Sequence, residues 1–304
     1  MLSCLTEADV RARLRWDELI VSMEEALAEF STGRVLQPVR TVLALEEGKR
    51  YLGVMPAAAS DVMGLKAVTF YPANAGSHIP THMAVILLFD TNTGEPLAVM
   101  DGRLITEMRT AAVSAAVTKR LACANSRVLA LLGSGVQARA HFEALRHVRK
   151  FDDVRVWSPT AENARRFAQQ YGARATDAES AVRGADVVVT ATNATQPVLK
   201  GEWLKPGAHV NAVGACRPSW RELDDQAMAG TLIVDSREAV LQESGDVILS
   251  HARIYAEAGE LFAGLKASPV SDTTVFKSVG IAAEDIAAGR LILRSLSKPG
   301  DRAC

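Results

Sequence analysis

The residues Gly133-Ser134-Gly135-Val136-Gln137-Ala138 carry the most specific chemistry in the chain. They follow the apolar run VLALL and precede a helical pattern. Gly133 permits a tight turn and Gly135 lets backbone approach a pyrophosphate. The small Ala138 allows the helix to pack closely on the strand. A pyrophosphate then rests on the helix N-terminus, where Gly135, Val136 and Gln137 offer free N–H groups. About twenty residues later the ribose-reading position falls on Trp157-Ser158-Pro159-Thr160. No acid stands there to accept the ribose hydroxyls that mark NAD. Ser158 and Thr160 are placed to donate to a 2′-phosphate, with Arg165 or Arg166 as added charge. The expected cofactor is therefore NADPH, with NADH tolerated by a neutral pocket as the alternative.

Such a site needs alternating strands and helices around it, and the second half of the chain supplies them. RVLALLGSG (127–135), VRVWS (154–158), VVVTAT (187–192), AHVNAVG (208–214), LIVDS (232–236) and TTVFKS (273–278) read as strands. Helical patterns separate them at 136–148, 161–172 and 178–186. This alternation predicts a parallel sheet covered on both faces. Asn193 and Thr195 follow the strand 187–192 and should lie near the cofactor at its carboxyl end. Residues 35–100 differ. VLAL, YLGVM, LKAVTFY, MAVILLFD and PLAVMD are short apolar runs separated by turn residues, and DTNTGEP (90–96) fits a hairpin. They predict an antiparallel or mixed sheet. An opening helix over 6–31, begun by Thr6 and Asp9, an Ala-rich helix over 105–122 and a closing helix over 283–296 complete the reading.

Composition excludes other classes. The 304 residues suggest about two domains at ~150 residues each. Lys and Arg number 34 against 35 Asp and Glu. That balance argues against a protein devoted to nucleic acid or to an anionic membrane. No apolar stretch of ~18 residues predicts a membrane span. Cys4, Cys123, Cys216 and Cys304 form no closely spaced pair, and the histidines lack metal-ligand spacing, so no metal is expected. The expected location is the cytoplasm.

Separated blocks then resemble one family. QPVRTV (37–42), GLKAVTFYP (64–72), LAVMDGRLITEMRTAAVSA (97–115), LLGSGVQA, NAVGACRPSWRELDD (211–225), VDSREAVLQESGDV (234–247) and TTVFKSVG (273–280) resemble the ornithine cyclodeaminase/mu-crystallin family over about residues 5–296. RPSWRELDD and FKSVG resemble its mu-crystallin branch, the ketimine reductases. The resemblance implies an α/β protein: a Rossmann-type doubly wound parallel sheet over 111–280, plus a second α+β substrate-binding and dimerisation domain from 1–110 and 281–304. It also implies a homodimer, and a nicotinamide that exchanges hydride with the α-carbon of an amino or imino acid.

By that resemblance Arg40 and Arg109 hold a substrate carboxylate, which a guanidinium fork matches. Lys66, inside an apolar strand, donates a proton to the imine nitrogen once burial has lowered its pKa. Thr81 and His82 line the pocket or merely start a strand. Val213 packs on the nicotinamide, and Ser278, Val279 and Gly280 meet its carboxamide. One departure separates the branches. Ornithine cyclodeaminases carry an aspartate where this chain has Cys216, and the next carboxylate is Glu222. A thiol is mostly neutral at pH 7 and cannot replace that charge. Cys216 reads as a small wall residue. The expected activity is reduction of small cyclic ketimine carboxylates, such as pyrroline-2-carboxylate or piperideine-2-carboxylate, to cyclic amino acids. The alternatives are ornithine cyclodeamination, an alanine-type dehydrogenase, and a crystallin-like protein that binds NADPH and a small ligand.

Overall fold

The computed structural model describes residues 2–46, 49–269 and 272–296. It divides into two compact units, Met1–Arg109 with Ile281–Cys304, and Thr110–Gly280. The tail 297–304, assigned above to the first domain and ending in Cys304, lies outside the described residues.

The first unit is built on a mixed six-stranded sheet in the order Ser3–Leu5, Pro96–Asp101, His82–Asp90, Val62–Phe70, Arg50–Ala58, Thr41–Glu46. All pairs are antiparallel except Ser3–Leu5 with Pro96–Asp101. The hairpin expected at DTNTGEP is present. Asp90 accepts the N–H groups of Asn92 and Thr93, and Gly94 supplies a φ of 73°. Register puts Met55, Lys66, Ile86 and Met100 opposite one another on one face of the sheet. All four side chains are buried. The closing helix Ala282–Leu296 lies on this face. Gly289 permits its close approach, because a Cβ there would sit 2.9 Å from the Leu88 side chain.

The opening helix expected over 6–31 is two helices, Glu7–Arg13 and Trp16–Ser31. Leu14 and Arg15 are extended, and Leu14 is buried. The Arg15 guanidinium donates to the carbonyls of Arg11 and Ala12, which satisfies the end of the first helix and stabilises the break. The strand Ser3–Leu5 escaped prediction because three residues are too short to show alternation.

The second unit holds an all-parallel eight-stranded sheet. Its order is Ile254–Glu257, Thr231–Val234, Thr274–Lys277, His209–Ala212, Val187–Thr190, Val128–Leu132, Asp153–Trp157, Arg174–Ala175. Strands such as Val128–Leu132 and Val187–Thr190 are continuously apolar because both faces are covered. From Val128–Leu132 the chain adds strands in one direction, then returns to its other side with Val187–Thr190. That reversal is the switch point at which such sheets take ligands. The strand expected over 187–192 stops at Thr190, because the Thr192 N–H donates to Glu222. The helix expected over 178–186 stops at Val182, shortly before Gly184 turns the chain at φ 75°. Among the described residues no helix is long and apolar enough to cross a membrane.

Candidate functional site

In the first unit the structure gathers Arg40, Lys66, His82 and Arg109 around two acids that sequence reasoning missed. Glu284 and Asp285 lie in the first turn of the closing helix, where the helix dipole favours carboxylates, and both are fully buried. Lys66 Nζ lies 2.7 Å from Asp285 Oδ2, a buried ion pair. Arg109 Nε donates to Asp285 Oδ1 at 3.0 Å, and its Nη1 donates to Glu284. The arginine expected to grip a substrate is thus itself held by two carboxylates. The available signal was the pair of acids in the otherwise small and apolar AAEDIAAG.

Charge and burial set the chemistry. Burial pulls the Lys66 pKa down; Asp285 opposes this, Arg109 and Arg40 add to it, and the value falls to about 8. His82 is held near 4 by burial first and then by the charges of Lys66 and Arg109, so its imidazole is neutral. Asp285 stays below the ordinary carboxylate value, because Arg109 and Lys66 outweigh its burial. Arg40 is half-buried just before the edge strand, close enough for its charge to act on both Lys66 and Asp285.

In the second unit the glycine turn has the form that a dinucleotide requires. Gly133 adopts φ 120°, and a Cβ there would lie 2.4 Å from the Ala191 carbonyl oxygen. Two independent reasons therefore demand glycine. Around Gly135 a Cβ would meet nothing within 4 Å, so its face is open to a ligand. Gly135 caps the helix Val136–Leu145, and the buried Oε1 of Gln137 has no hydrogen-bond partner among the described residues. Ala138, in the first turn of that helix, is buried. Ser158 follows the strand Asp153–Trp157, and Thr160 caps the next helix with no bond from its hydroxyl. Asn193 and Thr195 are exposed beyond Val187–Thr190, and Val213 is nearly buried after His209–Ala212. These groups fit a dinucleotide. Among the described residues no cluster of His, Cys, Asp or Glu could hold a metal.

Two details bear on the expected sites. Ser278, Val279 and Gly280 donate their hydroxyl and N–H groups to Asp235 Oδ2, at 2.9, 2.8 and 2.7 Å. The donors of this loop are therefore turned toward Asp235. Glu222, the next carboxylate after Cys216, is already engaged. It is buried and accepts from the hydroxyl of Thr190, the N–H and hydroxyl of Thr192, and the N–H of Gly214. Burial pushes its pKa up. Cys216 itself lies 3.6 Å from the carbonyls of Val213 and Gly214, just after the left-handed Ala215 at φ 48°.

Comparison with known proteins places this geometry. The model of the ornithine cyclodeaminase/mu-crystallin family matches residues 2–299. The chain belongs to that family. The ketimine reductase mu-crystallin of Mus musculus is 50% identical over 303 residues, covering 96% of this chain and 97% of the relative. The structure of the Δ1-pyrroline-2-carboxylate reductase of Thermococcus litoralis, in complex with NADH and L-proline, superposes with TM-score 0.91 at 35% identity and covers 97% of each chain. An archaeal alanine dehydrogenase, a dimer with bound NAD, superposes with TM-score 0.90 at 32% identity, covering 98% of this chain and 97% of that one. The α/β architecture and the family expected from the sequence are both borne out.

Proposed function

We propose that this protein reduces small cyclic ketimine carboxylates to cyclic amino acids with NADPH. The observation that carries the reading is a buried lysine of lowered pKa, flanked by two arginines on a face built by sheet and closing helix. The likeness to a ketimine reductase and to a Δ1-pyrroline-2-carboxylate reductase supports it. Bound to the second unit, the reduced nicotinamide supplies a hydride for the α-carbon.

The chain's own residues do the rest. Gly135, Val136 and Gln137 take the pyrophosphate on free N–H groups. Asn193, Thr195 and Val213 flank the ribose and nicotinamide, while the 278–280 loop offers carbonyls to the carboxamide. Ser158 and Thr160, whose hydroxyls make no hydrogen bond among the described residues, take the 2′-phosphate; this favours NADPH over NADH. Arg40 and Arg109 bind the substrate carboxylate, and neutral His82 lines the site without adding charge. Lys66 gives a proton to the imine nitrogen, and Cys216 forms wall. Glu222 is fully bonded and no carboxylate stands at Cys216, which argues against cyclodeamination of ornithine.

The reading includes a homodimer. Leu43, Met83 and Val85 lie on the sheet face opposite Lys66 and are 59, 37 and 45% exposed. A second copy covering this apolar face accounts for it, as does the likeness to a dimeric dehydrogenase. The deciding assay mixes the full chain with NADPH and either 1-pyrroline-2-carboxylate or 1-piperideine-2-carboxylate. Loss of the reduced-nicotinamide absorbance is expected. No oxidation with either ring sinks the proposal.

A further inference from the structure

We infer that Asp285 is a positioning residue, which keeps Lys66 charged and aims its ammonium. The inference rests on the proposed role of Lys66 as proton donor.

Lys66 enters the buried face among Met55, Ile86 and Met100, so the sheet itself offers its ammonium no partner. The charges around it come from other elements. Arg109 lies on the Ala-rich helix, Arg40 precedes the edge strand, and His82 is neutral. Both arginines repel the ammonium. Glu284 is engaged by Arg109. The carboxylate that touches Lys66 is Asp285, brought by the closing helix. Without it, three cationic groups would share an apolar face, and Lys66 would lose its proton first.

The two oxygens of Asp285 divide the work. Oδ1 accepts from Arg109 and Oδ2 pairs with Lys66. One carboxylate thereby sets the distance between the group that binds the substrate carboxylate and the group that gives the proton. An ammonium has three N–H groups and Asp285 Oδ2 engages one side of it, so the remaining N–H bonds stay available to an imine nitrogen. In the step, one Nζ–H bond breaks and one bond forms between that proton and the imine nitrogen. The lysine ends neutral and regains its proton from water.

Two measurements test this. The first needs no substrate. Lysines labelled with carbon-13 at Cε are titrated by NMR, and the Lys66 signal is assigned by its loss in Lys66→Met. In the wild type Lys66 is expected to titrate near 8. In Asp285→Asn it should move down by about one to three units, the size of effect of one adjacent opposite charge. Asp285→Glu should restore most of the shift. A wild-type Lys66 already neutral at pH 7 overturns the inference whether or not the asparagine variant folds. So does a titration unmoved in Asp285→Asn. The second measurement is the pH dependence of kcat with NADPH and 1-pyrroline-2-carboxylate. Its high-pH limb should shift down in Asp285→Asn, with activity returning toward wild type at low pH. A uniform loss at every pH marks a merely structural role and overturns the inference. Failure of the wild type to turn over any ketimine would strike the proposed function and leave the NMR test standing.

Discussion

Each unit buries a lysine beside a carboxylate, and the two lysines are opposites. Lys277 in the second unit is fully buried and donates to the Gly214 carbonyl at 2.6 Å and to Asp246 Oδ2 at 2.9 Å. Asp246 Oδ1 in turn accepts the N–H groups of Glu222 and Leu223. Burial alone would lower the Lys277 pKa, but the opposing influence of Asp246, followed by Cys216 and Glu222, raises it. Lys66 has one ion pair, two nearby arginines and a pKa lowered to about 8. A lysine hydrogen-bonded to both a carbonyl and a carboxylate braces backbone. A lysine balanced between one carboxylate and two cations is poised to give up a proton. Burial is common to both, so partner count and sign decide the role.

Substitutions can break that contrast. The largest effect is expected from Lys66→Met, which should lower kcat by roughly 10²–10⁴, the usual worth of a general acid. NADPH binding, read by fluorescence titration, should persist; normal turnover would remove Lys66 from the chemistry. Lys277→Met should instead destabilise the fold by about 3–5 kcal/mol, because Asp246 is left as an unpaired buried charge. Denaturant melts measure it, and a midpoint equal to wild type would refute the bracing role.

A pH series sharpens the comparison. Folded Lys66 titrates below the ordinary lysine value of 10.5, so between about 8 and 10.5 the unfolded chain binds more protons. Stability measured relative to Lys66→Met should therefore rise with pH across that window. Lys277 has the opposite sign, and its contribution should fade as pH climbs above 10.5 toward its raised value. Parallel slopes for the two lysines would mean that they are not opposites. The smallest effect is expected from Ser158→Ala, about a tenfold loss of NADPH affinity for one hydrogen bond to a charged group, with NADH affinity unchanged. Equal loss for both cofactors would remove Ser158 from the 2′-phosphate.

Legibility followed the range of the interaction. The glycine turn could be read because its causes lie within a few residues. The strands of the second unit could be read because burial on both faces makes them plainly apolar. Ser3–Leu5, the break at Leu14 and Arg15, and the end of Val187–Thr190 could not. Each is set by a partner that local periodicity does not reveal: another strand, a side chain over a helix end, or Glu222 across a loop.

By itself the amino-acid sequence determined the family, the α/β class and the residues worth testing: Arg40, Lys66, His82, Arg109 and the glycine turn. Tertiary structure decided what state those residues are in. Glu284 and Asp285 stand far along the chain from Lys66 and Arg109, and no spacing rule connects them. Only the packing of the closing helix on the sheet brings the four charges together in a medium where water no longer screens them. The same packing logic makes Glu222, the acid nearest to Cys216 along the chain, a fully bonded brace.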